Sequence, residues 1–167
     1  MHRSFQRLAT AAALGLLFGG AGLLAPIEAL AYDAGSTSAI NVEAGNVILH
    51  GYDPVAYFTA GKPTQGDAKF SVDHAGARYY FASAANKLAF ETNPAQYVPQ
   101  YGGFCAMGAA LGKKLDVDPT QFRVVNGKLY LNVNADVFKK WSEDVPGNVS
   151  KADRNWPSIK DSAPSAL

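Results

Sequence analysis

The sequence predicts an α+β domain, with a small antiparallel sheet built from hairpins and helices packed on one side. Three observations carry this: two pairs of alternating segments joined by short turns, repeated cap-then-helix signals, and one compact block without linkers or repeats. The clearest hairpin joins Phe122-Arg123-Val124-Val125 to Lys128-Leu129-Tyr130-Leu131 across Asn126-Gly127, the pair that best tolerates the positive φ angles of a type I′ turn. A second comes from Ala68-Lys69-Phe70-Ser71-Val72-Asp73-His74, which alternates apolar and polar residues, and the aromatic run Arg78-Tyr79-Tyr80-Phe81 beyond Ala75-Gly76-Ala77. Asn46-Val47-Ile48-Leu49-His50 is a short strand candidate. Asp53-Pro54 sets a cap and a first-turn proline for a helix ending at Gly61, and Ser83 caps a helix with Leu88, Ala89 and Phe90 before the stop at Asn93-Pro94. Asn134 to Val145 reads as an amphipathic helix with Val137, Phe138 and Trp141 on one side, and Val149 to Trp156 as another ended by Pro157.

Residues 1–31 read as a secretory signal peptide. His2, Arg3 and Arg7 form a basic region, Leu8 to Ala25 is apolar, and Ala29-Leu30-Ala31 supplies a small-x-small cleavage pattern, so the mature chain starts at Tyr32. Gly15, Gly19, Gly20 and Gly22 weaken the competing reading of an uncleaved anchor. This implies a periplasmic or secreted protein with no stable membrane insertion after cleavage. Residues 32–45 then form a flexible arm, 46–157 the domain, and 158–167 a disordered tail. The mature 136 residues suit one core. Loss of Arg3, Arg7 and Glu28 from 15 basic and 14 acidic side chains leaves 13 of each. Such a balance argues against nucleic acid as a partner, since phosphate binding needs a basic face.

The mature chain has one cysteine, Cys105, and one methionine, Met107, both within Tyr101-Gly102-Gly103-Phe104-Cys105-Ala106-Met107-Gly108. One cysteine cannot form an internal disulfide, which leaves a buried small hydrophobe, an intermolecular bridge, a metal ligand or a reactive thiol. Gly102-Gly103 permits close approach of another element. If Phe104 to Leu111 begins a helix, Cys105 lies in its first turn, where free N–H groups lower a thiol pKa. With His50 and His74, Cys105 and Met107 complete the set of soft or borderline metal ligands. Thiolate, thioether and imidazole suit copper better than tetrahedral zinc, whose paired-cysteine spacings are missing. Each ligand also has a plainer reading: His50 a capping or exposed residue, His74 a solvated turn histidine, Met107 core filler, Cys105 an inert thiol. No acid–base–nucleophile set for an ordinary enzyme stands out.

Gly51-Tyr52-Asp53-Pro54-Val55-Ala56-Tyr57-Phe58, Tyr79-Tyr80-Phe81-Ala82-Ser83, Tyr101-Gly102-Gly103-Phe104-Cys105-Ala106 and Gly127-Lys128-Leu129-Tyr130-Leu131-Asn132 together resemble the exported branch of the YHS-domain family. The resemblance covers residues 46 to about 157. It implies a module related to those of copper-transporting ATPases and other metal-trafficking proteins, with a metal transporter or another periplasmic protein as partner. Some members carry selenocysteine where this chain has Cys105, which implies a chemical role there. Metal-binding relatives resemble Asp-Pro-Val-Cys and Tyr-x-Phe-Cys-Ser-x-x-Cys, and the corresponding positions here are Ala56, Ala82 and Asn86. None of these is a thiolate. Three functions stay open: a copper-binding or trafficking module using Cys105 with Met107 and a histidine, a thiol-redox protein using Cys105 alone, and a binding or structural module that keeps the scaffold without the metal.

Overall fold

The computed structural model describes residues 32–167, so the expected signal peptide lies outside the described residues. Among them the chain forms two antiparallel hairpins and six α-helices, which is an α+β fold. Strands β1 (Asp67–His74) and β2 (Ala77–Phe81) turn at Ala75 and Gly76, and β3 (Asp118–Val125) and β4 (Lys128–Asn132) turn at Asn126 and Gly127. Asn126 at φ 51° and Gly127 at φ 72° are both left-handed, as a type I′ turn requires. The hairpins stay separate two-stranded sheets instead of one. Their outer edges are taken by irregular chain: Val47 bridges to Arg78, and Pro99 bridges to Leu129 without an N–H to extend a ladder.

Of Asn46 to His50, expected as a strand, Val47 and Ile48 are extended and make isolated bridges, while Asn46 ends one 3-10 turn and Leu49 and His50 begin another. Asn46, Leu49 and His50 all have positive φ, which turns the chain where a strand would extend it. Ile48 and Leu49 are buried all the same. Helix α1 (Ala56–Thr59) follows Asp53-Pro54, and α2 (Ala84–Thr92) starts at Ser83, whose hydroxyl accepts from Asn86 N–H at 3.1 Å. Phe90 faces the core, but Leu88 points to solvent at 63 % exposure. A short α3 (Pro94–Tyr97) restarts the helix at its proline, and α4 (Ala106–Ala110) follows the Gly102-Gly103 turn.

The last two helices divide differently from their sequence reading. Helix α5 (Ala135–Ser142) is capped by Asn134 and ends before Val145, because Asp144 caps a new helix with Pro146 in its first turn. That helix, α6 (Val145–Ile159), continues through Pro157. The proline lies near the C-terminus and forfeits one backbone bond, while buried Ile159 holds the last turn.

Two clusters make the core. One packs Val55, Tyr57, Phe81, Phe90, Cys105, Leu129 and Leu131 between the hairpins, and the other packs Tyr101, Tyr130, Trp141 and Ala152 under α4, α5 and α6. No helix of the described residues is long and apolar enough to cross a membrane.

Two buried charges organise the connections. Asp53, at 0 % exposure, accepts from Val55 N–H at 2.8 Å and Ala56 N–H at 3.3 Å through one oxygen. Its other oxygen accepts from Ala82 N–H at 2.8 Å and Asn86 Nδ2 at 2.6 Å. Lys114, at 1 % exposure, donates to the carbonyls of Ser38, Lys160 and Ser162 at 2.7, 2.9 and 2.8 Å and lies 4.8 Å from the Phe104 ring centre. Three carbonyl acceptors call for three donors, so the side chain is an ammonium even though burial lowers its pKa. The segments expected to be a loose arm and tail therefore meet on it, and Ser165 N–H adds a bond to Ala34 O at 2.9 Å.

Asp53→Ala leaves four donors without their acceptor and is expected to lower the unfolding free energy by about 3 kcal/mol. Urea titration measures it. A loss below about 1 kcal/mol would remove Asp53 from its central place in the fold.

Candidate functional site

The octapeptide around Cys105 is shaped by three successive left-handed residues, Tyr101, Gly102 and Gly103. A Cβ at Gly102 would collide with the carbonyl of Ala39, which passes directly over it. The expected close approach at these glycines is made by the N-terminal arm: Asn41 N–H donates to Gly102 O at 2.8 Å, and Asn41 Nδ2 donates to Gly103 O at 3.3 Å. The chain then extends through Phe104, and Cys105 caps α4.

Cys105 is wholly buried, at 0 % exposure. Its thiol donates to Asn132 Oδ1 at 3.6 Å and accepts from Gly108 N–H at 3.4 Å. Burial pushes the thiol pKa up, and the N–H groups of Gly108, Val133 and Met107 pull it part of the way back. The net direction is upward, so at neutral pH the group is a thiol. The lowered pKa expected of a first-turn cysteine does not result, because Cys105 sits at the cap of a five-residue helix and desolvation dominates.

Asn132 comes from the end of β4 and is also at 0 % exposure. Its oxygen accepts both from the Cys105 thiol and from Met107 N–H, the latter at 3.3 Å. Met107 N–H can only donate, which fixes the end of the carboxamide that faces it as oxygen. The amide nitrogen has no hydrogen-bond partner among the described residues. Leaving such a donor unmet in a core costs about 1–3 kcal/mol.

The other predicted ligands are engaged elsewhere. His50 sits between two carboxylates, with Nδ1 against Glu43 and Nε2 3.1 Å from Asp116 Oδ1. His74 packs its ring on Phe90 at 5.7 Å and Tyr79 at 6.4 Å. Met107 fills space between the two core clusters, though its backbone shares Asn132 with Cys105. Among the described residues no group of three or more His, Cys, Asp or Glu side chains is placed to hold a metal ion. Glu43, His50 and Asp116 are lined up with the ring between the acids, and their lone pairs do not converge on one point. No metal site is thus shown among the described residues.

Ala56, Ala82 and Asn86 are brought together in space. All three donate to the Asp53 carboxylate. The corner that holds cysteines in the metal-binding pattern is closed here by hydrogen bonds. In the sequence Asn132 stands within a motif without a role, and Asp53 reads as a helix cap, which its bonds from Val55 and Ala56 N–H bear out. The isolated asparagine carries no signal in a single sequence, whereas the alanine and asparagine replacements around Asp53 do.

The family model of the YHS domain matches residues 55–101. This stretch of the chain is therefore similar to a YHS domain, which suggests a metal-handling module. The match takes in Ala56, Ala82 and Asn86 and stops short of Cys105, Met107 and Asn132. No curated protein and no solved structure matches the chain.

The hydrogen bond that Asp116 accepts is the largest cause raising the His50 pKa above its ordinary value; burial opposes it, and the charges of Asp116 and Glu43 and the Glu43 hydrogen bond add to the rise. Asp116 is correspondingly held below the carboxylate range: burial pushes it up, but the bonds from His50 and Asn41 outweigh that. The stabilisation this gives is fully present below about pH 6.5 and is lost as pH rises through the raised folded value. At the acid end it is lost as pH falls through the lowered Asp116 value. Stability to urea should therefore decline from pH 6 toward alkaline pH in the native protein and stay flatter in His50→Gln. Equal slopes in the two proteins would count against the ion pair.

Proposed function

We propose that this chain is a thiol-redox protein on a YHS scaffold, with Cys105 as its reacting group. The observation that carries this is the pair of bonds at one buried sulfur: Gly108 N–H donates to Cys105 Sγ at 3.4 Å, and the thiol donates to Asn132 Oδ1 at 3.6 Å. Backbone N–H groups aimed at a sulfur favour its anion over the thiol. In the resting state Asn132 Oδ1 holds the S–H proton. Once the proton leaves, Gly108 N–H steadies the thiolate that attacks an oxidant. The chain has one cysteine, so an external thiol must complete any cycle. The leader pattern of residues 1–31 supports an exported protein acting in the periplasm or outside the cell.

Treatment with hydrogen peroxide should convert Cys105 to a form that traps a sulfenic-acid reagent, and Cys105→Ser should abolish trapping. Because the thiol pKa is raised, the rate should climb with pH beyond the ordinary cysteine range near 8.5. No oxidation of the folded protein across that range would sink the reading. Stoichiometric Cu(I) binding lost in Cys105→Ala would restore metal trafficking in its place.

A further inference from the structure

The thiol reading leaves open what oxidises Cys105 and what receives the product, and Asn132 answers both. We infer that Asn132 Nδ2 is the donor that holds the oxygen of a Cys105 sulfenic acid, and that the oxidant is a small hydroperoxide. This deepens the proposed function and rests on it.

Burial limits the size of the oxidant. Cys105 is at 0 % exposure, and Tyr101, Phe104 and Ala106 around it in the chain are also buried. Exchange with a disulfide needs a second sulfur and its flanking groups in line with Sγ. Hydrogen peroxide has two heavy atoms and no charge, so transient opening of the packing admits it.

The product argument comes from the carboxamide. Asn132 is equally buried, its oxygen is held by Met107 N–H, and its nitrogen has no partner among the described residues. A donor of this kind beside a thiol is matched by an acceptor that oxidation creates. The thiolate sulfur attacks one peroxide oxygen. The S–O bond forms as the O–O bond breaks, sulfur gives up two electrons, and the departing hydroxide takes the proton released by the thiol. The products are sulfenic acid and water. The new oxygen lies one bond beyond Sγ, and Sγ is 3.6 Å from Oδ1 of the carboxamide whose nitrogen is the unpartnered donor. Oδ1 keeps its bond to Met107 N–H throughout, so the amide need not turn over.

The test uses the full chain after export, labelled with ¹⁵N at asparagine and titrated with hydrogen peroxide. The mass should rise by one oxygen while the Asn132 side-chain NH2 signals move downfield in step with oxidation. Asn132→Asp keeps the acceptor and removes the donor, and should raise the ratio of doubly to singly oxygenated protein about fivefold, the equivalent of one ordinary hydrogen bond. Oxidation with a stationary Asn132 signal would overturn the role of Asn132 and leave the thiol reading standing. Reaction with a bulky aromatic disulfide as fast as with peroxide would overturn the choice of oxidant. No oxidation at all would overturn both the inference and the reading beneath it.

Discussion

The buried carboxylate of Asp53 is the constraint on which the rest of the domain depends. It has no cationic partner among the described residues, so the whole cost of its desolvation is met by four hydrogen bonds. Those bonds come from two places in the chain: the start of α1, and the junction between β2 and α2. Position and chemistry are coupled as a result. The first hairpin cannot shift relative to α1 without exposing a charge to an apolar core that includes Val55, Phe81 and Phe90. The same arrangement occupies the corner where related modules place thiolates.

With that corner closed, the available chemistry moves to the opposite end of the YHS match and past it. Cys105 has the features of an interior group held in reserve. It is buried, protonated and bonded, yet Gly108 N–H donates to its sulfur, a contact that suits a negative charge better than a neutral thiol. Burial and backbone polarity oppose each other there, and burial wins at rest. A group balanced in this way responds to whatever admits water or a small polar reagent.

The elements that were readable from sequence are those with local chemistry. Asn126-Gly127, Ser83 and Asn134 fix a turn and two helix starts through their own backbone geometry and caps, and the structure keeps each of them. Errors arose where distant contacts decided the outcome. His50 bends out of a strand into a left-handed turn between Glu43 and Asp116, neither of which its neighbours announce. Pro157 fails to stop α6 because Ile159 is buried beyond it. For the site, Cys105 stood out by being the one cysteine, but the metal set around it required at least one histidine to converge there, and His50 is engaged by Glu43 and Asp116 while His74 packs on Phe90 and Tyr79. Asn132 could be found only in three dimensions, since its meaning lies in what its nitrogen does not touch.

Lys114 gives the fold something a chain with one cysteine cannot make within itself. Its ammonium joins segments that lie 76, 46 and 48 residues away in sequence, closing loops of the length that disulfides usually close. This cross-link is electrostatic and reversible, and no oxidant or reductant can alter it. A domain fastened in this way holds its two ends through bonds that do not involve its single sulfur, so the link between arm and tail is separate from Cys105.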